Sequence, residues 1–202
     1  MTLPRHVVVK WCGLMTYSSA LQLQQKFVEL LLSKKRQQNG AKDVTLPVHN
    51  TVLMLEHSPV YTIGVRTAHY DELEEKRLRS LGADFRRTDR GGLITFHGPG
   101  QLVVYPILAL SDFRSSCAVK WYVTKLEQCL IDVCGRLGLN AYAPGVPYTG
   151  VWEIVPCGLV GKKATSLSNQ LHRTVTVTDA IVPFVTAFAE HFNCIAVCDS
   201  KI

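Results

Sequence analysis

The run TVLMLE at residues 51–56 sets the narrowest limit on how this chain folds. It is continuously apolar, too short for an ordinary helix, and broken at once by His57-Ser58-Pro59, so it reads as a buried strand. VYTIG (60–64) is a second extended piece, and HVVV (6–9) a short strand before both. Between 17 and 38 the apolar positions Ala20, Leu21, Leu23, Phe27, Leu30 and Leu31 recur at helical spacing until Asn39-Gly40 stops them. Asp71 to Leu81 reads as a charged surface helix closed by Gly82. Three extended segments follow at 84–88, 92–96 and 101–108, then an amphipathic helix over 117–137 with Gly138 placed to cap it. Thr178-Asp179 is placed to cap a last helix running to His191, with Pro183 close enough to its start to be tolerated. Strands therefore mingle with helices along the whole chain. The expected class is α/β or α+β, with a mixed central sheet and flanking helices.

The 202 residues suit a single domain, 1–202, that buries its own core. With 47% hydrophobic and 19% charged residues the composition is that of a globular protein. No apolar run reaches the ~20 residues of a membrane span. Seven cysteines, an odd number at irregular spacing, argue against a disulfide framework, and the absence of any C-x-x-C pair argues against zinc. Six of them lie in apolar helix or strand patterns, where a small buried thiol is expected. A formal charge of +6 favours acidic partners. The dense basic runs, Lys34-Lys35-Arg36 and Lys76-Arg77-Leu78-Arg79, belong on wet helix faces, and the stacking aromatics and basic stripe of a nucleic-acid binder are missing.

Two stretches carry chemistry. In RGGLITFHGPGQ (90–101), Arg90-Gly91-Gly92 taken alone reads as a hairpin turn between the flanking strands. His97 changes that weight, because it ends a strand between two glycine-rich turns that leave room for a substrate. In VPCG (155–158), Pro156 fixes φ before Cys157 and Gly158 removes bulk after it, so the sulfur sits on a defined, uncrowded turn. A nucleophilic cysteine needs a cation or base beside it, since a free thiol near pKa ~8.5 is only slightly ionised at neutral pH.

The run RGGLITFHGPGQLVVY (90–105) resembles, without a gap, the signature of the lipoyl(octanoyl) transferases. Glu56-His57-Ser58-Pro59-Val60-Tyr61-Thr62 with Gly64, Gly150-Val151-Trp152, Ile154-Val155-Pro156-Cys157-Gly158 and Ala164-Thr165-Ser166-Leu167-Ser168 extend the resemblance over nearly the whole chain. It implies a biotin/lipoate protein ligase-like fold and transfer of an octanoyl group from acyl carrier protein to a lysine of lipoyl-dependent enzymes. Cys157 matches the family's acyl-thioester cysteine. Arg90, Gly91, Gly92, Leu93, Ile94, Thr95, Phe96 and His97 match the segment lining the acyl site. No metal and no cofactor is implied, because the donor is already an activated thioester. The implied partners are acyl carrier protein and the lipoyl domains of the glycine cleavage H protein and of 2-oxoacid dehydrogenase E2 subunits. The animal branch of the family is mitochondrial, and the chain is expected to be a monomer.

One block of the family pattern is missing. Members carry a lysine-bearing strand and a second strand between the G-V-W and P-C-G segments. Here Trp152 runs directly into Glu153. On the order of thirty residues, enough for two or three strands, are absent, so part of the sheet is expected to be deleted. The lysine that lowers the cysteine pKa goes with them, which leaves Lys162, Lys163 or His97 as replacements. The first reading is therefore an octanoyltransferase, and the alternative is a catalytically impaired isoform that binds acyl carrier protein or lipoyl domains without turnover.

Overall fold

The computed structural model describes residues 5–38, 49–65, 70–91, 93–116, 119–144, 150–151 and 165–199. Strand β1 (Arg5–Met15), helix α1 (Tyr17–Gln38) and strand β2 (Asn50–His57) form a β-α-β unit whose strands are parallel, with Val7 opposite Asn50 and Met15 opposite His57. Strand β3 (Val60–Ile63), helix α2 (Glu72–Ser80) and strand β4 (Asp84–Arg87) repeat the plan on a smaller scale, again in parallel. Strand β5 (Thr95–His97) adds antiparallel to β3, and β6 (Val103–Ile107) antiparallel to β2. After a 3-10 turn (Leu110–Asp112) come helices α3 (Val119–Arg136), α4 (Leu167–Leu171) and α5 (Val177–Phe192), and β7 (Cys194–Cys198) closes the chain parallel to β1. The expected mixed sheet is thus two mixed sheets, ordered β6-β2-β1-β7 and β4-β3-β5.

The burial of β2 explains its continuous apolar run. Val52 and Met54 pack with Cys129 and Val133 of α3 and with Phe184 and Phe188 of α5. Leu53 turns the other way, onto Leu31, Leu23 and Phe27 of α1. A strand covered by helices on both faces has no wet side, so the polar alternation disappears. Phe188 stacks on Phe192 at 4.4 Å between ring centroids, and Phe113 meets Phe192 edge-on, so aromatic packing dominates this side of the core.

The helix ends follow the sequence closely. Asp71 caps α2 by accepting from the Glu74 N–H at 2.9 Å. Gly138, at φ +93°, ends α3, and the Leu139 N–H reaches back to the Cys134 carbonyl. At α5 the expectation needs correction. The cap is Thr176, not Thr178, and Asp179 is the third helical residue that closes a capping box by accepting from the Thr176 N–H at 2.8 Å. Pro183 therefore lies inside the helix rather than in its first turn, where it forgoes a bond to the Asp179 carbonyl. β1 is longer than HVVV because it continues through a bulge: its register against β2 shifts between Trp11 and Leu14, with Gly13 at φ +67°. The strand expected over 92–96 is Thr95–His97.

Candidate active site

Parallel strands β1 and β2 end side by side at Met15 and His57, and ligands in open α/β sheets gather beyond such carboxyl ends. The Met15 carbonyl accepts the Ser58 N–H at 2.9 Å, which turns the chain away toward β3. His57 is fully buried there. Its Nδ1 faces the Met15 carbonyl at 3.4 Å and its Nε2 lies 2.8 Å from the Tyr105 hydroxyl on β6. Because a carbonyl only accepts, the consistent arrangement has Nδ1–H donating to Met15 and the Tyr105 O–H donating to Nε2. Burial pushes the His57 imidazole below its ordinary range, the Met15 bond opposes this, and His97 adds to it. Burial also raises the Tyr105 phenol to about 12.

The smaller sheet delivers the second half. Side chains alternate along β5, so Phe96 points outward onto Tyr61 at 5.0 Å between centroids while His97 turns inward. The His97 and His57 rings meet edge-on at 5.7 Å, and Tyr17 at the start of α1 lies 5.4 Å from His57. The His97 Nδ1 is 2.6 Å from Gln101 Oε1. Burial, and then the Arg90 charge, push this imidazole down as well, against the Gln101 bond. The loop after it is tied to the larger sheet, since the Gly100 N–H, at φ +85°, donates to Glu56 Oε2 at 2.6 Å. Both sheets therefore contribute to one cluster.

Arg90 is held rigidly. Its Nη2 donates to the Thr62 carbonyl (2.7 Å), the Thr62 hydroxyl (2.9 Å) and the Leu93 carbonyl (3.0 Å), and its Nη1 to the Gly91 carbonyl (2.9 Å). The hairpin reading of Arg90-Gly91-Gly92 is corrected, because β4 and β5 lie on opposite sides of β3. The segment instead crosses the end of β3, where the Val65 N–H bonds to the Arg90 carbonyl at 2.9 Å. A bare, guanidinium-braced backbone crossing a strand end leaves room beside it without a hairpin. Ile94 packs toward Ile63 and Phe85, and Thr95 pairs with Thr62.

Of the residues expected at the site, Arg90, Gly91 and Leu93 gather at the end of β3, Ile94 packs onto its core, and Thr95, Phe96 and His97 run back along β3 as far as Val60, whereas Gly92 and Cys157 lie outside the described residues, as does the junction at Trp152. Lys162 and Lys163 lie outside them too. The described cysteines offer no ready nucleophile near the cluster. Burial raises the thiols of Cys12 and Cys134, lifts Cys194 to about 11 and Cys129 to about 12. Cys198 departs from the buried expectation, being exposed on strand β7 at the sheet margin. Among the described residues no group of three or more His, Cys, Asp or Glu side chains converges as a metal site requires. Sequence reasoning missed His57, Tyr17, Tyr105 and Glu56 as site members. The available signal was positional, a histidine at the carboxyl end of a buried strand.

The sequence profile of the lipoyl protein ligase A/B catalytic domain matches residues 16–154. The mitochondrial octanoyl-[acyl-carrier-protein]:protein N-octanoyltransferase of Danio rerio is 44% identical over 216 aligned positions, covering 90% of each chain. The Homo sapiens protein of the same name is 36% identical over 218 positions, covering 90% of this chain and 91% of that one. Both alignments are longer than the 202 residues of this chain, so each relative has positions with no counterpart here, as a missing block requires. Among solved structures, a bipartite lipoate protein ligase from Thermoplasma acidophilum, described with its E2 lipoyl domain, superposes with a TM-score of 0.55 at 11% identity. That superposition covers 98% of this chain and 87% of that one, and it bears out the ligase-like fold.

Proposed function

The chain belongs to the lipoyl protein ligase A/B catalytic-domain family, and from that premise we propose that it is a mitochondrial octanoyltransferase performing the first step of protein lipoylation. The observation that carries this reading is the 44% identity, over 90% of both chains, with an enzyme named for that reaction. In the reaction, the Cys157 thiolate attacks the octanoyl thioester of acyl carrier protein and the carrier thiol leaves. A neutral lysine amine of a lipoyl domain then attacks the acyl-enzyme, giving an amide and freeing the sulfur. Because the donor is a thioester, the reaction needs no nucleotide, metal or other cofactor. Residues 1–202 serve as one catalytic domain, and the segment from Arg90 to His97 lines the acyl site.

The rigid Arg90 brace and the inward-facing His97 support that assignment, since an acyl thioester needs a fixed backbone beside it and a base within reach. The excess of positive charge suits acyl carrier protein and lipoyl domains, both typically acidic. Among the described residues no helix is long and apolar enough to cross a membrane. The binding-only alternative draws no support from relatives named as transferases. Incubation with octanoyl-acyl carrier protein followed by intact mass decides between them. An octanoyl adduct on the chain, lost in Cys157→Ser, is the expected result, whereas a parent chain that gains no adduct, or a Cys157→Ser chain that acylates and transfers as the parent does, overturns the proposal.

A further inference from the structure

Two imidazoles face each other in the cluster, and their hydrogen bonding is not equivalent. His57 has both nitrogens engaged, one toward the Met15 carbonyl and one toward the Tyr105 hydroxyl. His97 has one nitrogen engaged, with Nδ1 on the Gln101 side-chain carbonyl at 2.6 Å. With Gln101 Oε1 facing it as an acceptor, Nδ1 carries the proton, and in the neutral ring Nε2 then carries the lone pair. Nε2 has no hydrogen-bond partner among the described residues. The tautomer is thereby set by a neutral amide, which fixes the ring without the added basicity a carboxylate would confer.

The surroundings of that lone pair disfavour its protonation. Burial, and then the charge of Arg90 on the segment before β5, push the His97 imidazole down against the Gln101 bond, and His97 in turn pushes down His57 on β2. Among the described residues, Tyr17 and Tyr105 also lie beside the pair, and burial raises both phenols. The Glu56 carboxylate is turned onto the Gly100 N–H. A half-buried imidazole that has, among the described residues, one nitrogen without a partner and no carboxylate on the other is equipped to take a proton and give it back.

We propose that His97 is the proton acceptor of the acyl transfer, with Gln101 as the positioning residue that holds its Nε2 lone pair available. The proposal rests on the octanoyltransferase reading. In the transfer half-reaction, the neutral lysine amine forms a C–N bond to the thioester carbonyl. One amine proton passes to His97 Nε2, the C–S bond breaks, and its electron pair leaves on sulfur as thiolate. The thiolate then recovers the proton from the imidazolium, which restores thiol and neutral imidazole. No co-reactant is consumed.

The test separates the two halves of the reaction in the full chain. The chain is first acylated to completion with octanoyl-acyl carrier protein, then mixed with a lipoyl domain, and amide formation is followed by mass. His97→Asn should slow the second half by about 100-fold or more, and added imidazole should restore part of the rate, which a merely structural role would not allow. Gln101→Glu places a carboxylate on Nδ1 and should move the acid limb of the rate profile to higher pH. Transfer by His97→Asn at the parent rate, or a slow variant indifferent to imidazole, overturns the proposal. A parent chain that never acylates overturns the transferase reading instead. The ¹⁵N spectrum of the free chain then decides this inference by itself: a lone-pair signal from His97 Nε2 supports it, and a protonated Nε2 sinks it.

Discussion

The molecule contains the same construction at two sizes. In each, a β-α-β unit of parallel strands gains one antiparallel strand, β6 in the larger sheet and β5 in the smaller. The larger is held by a cluster that includes Val7, Val9, Val52, Met54, Phe184 and Phe188, all buried. Among the described residues, the smaller is centred on the buried side chains Ile63, Leu78 and Phe85. Its surface is stitched by ion pairs instead: Arg79 to Glu75 and Asp84, Arg87 to Glu75, Arg77 to Glu74 and Arg86 to Asp84. Exposed pairs of this kind contribute little and weaken with salt. One unit is therefore a scaffold, and the other is a lightly held frame for the Arg90–His97 segment. The His57–His97 cluster sits where they touch.

The sharpest way to break this contrast is to cut each core once. Phe188→Ala removes a fully buried ring from the larger cluster and should cost ~4 kcal/mol of global stability, read as a lowered urea midpoint. Phe85→Ala should cost ~3 kcal/mol and act locally. Hydrogen exchange should show β3, β4 and β5 losing protection while β1 and β2 keep theirs. Equal loss of protection in both sheets would show that they open as one unit and that the contrast is only one of size.

These units differ in how far the sequence disclosed them. β2 was legible because burial on both faces leaves an unmistakable apolar run, and α1 because its periodicity is long and ends at Asn39-Gly40. α2 was legible from its caps, Asp71 and Gly82. The path of the glycine segment was not. Two strands separated by R-G-G look like a hairpin locally, and only the order β4-β3-β5 shows that the chain crosses between them. β7 was missed for a related reason: CIAVC is short and pairs with β1 from the far end of the chain. At the site, the R-G-G and H-G-P-G-Q runs announced themselves through their glycines, whereas Tyr17 and Tyr105 join the cluster only by tertiary placement.

A pH measurement sharpens the contrast at the junction. Burial holds the His57 and His97 imidazoles below the ordinary histidine range, so the folded chain binds fewer protons there than the unfolded chain. Stability from this source is fully present above the unfolded value of ~6.5 and is lost as the pH falls through the folded values. Urea midpoints should therefore drop as the pH is lowered through and below ~6.5. His57→Gln, which cannot titrate, should flatten that slope. An unchanged slope would place the pH sensitivity elsewhere.

The smallest expected effect tests the tie between the sheets directly. Glu56 is the penultimate residue of β2, and its carboxylate accepts the Gly100 N–H of the loop that follows β5. The bond spans from the well-packed unit to the lightly held one, so its loss should be felt mostly on the weaker side. Glu56→Gln keeps an acceptor of the same reach but removes the charge, which should cost ~1 kcal/mol or less. The global urea midpoint would hardly move. Yet the Gly100 amide should exchange faster, and the His97 ring signals should shift, because the same loop carries Gln101 and with it the Nδ1 bond. If Gly100 exchange and the His97 signals both stay as in the parent, the loop is held by β5 alone. The two sheets would then meet at the site without being fastened there.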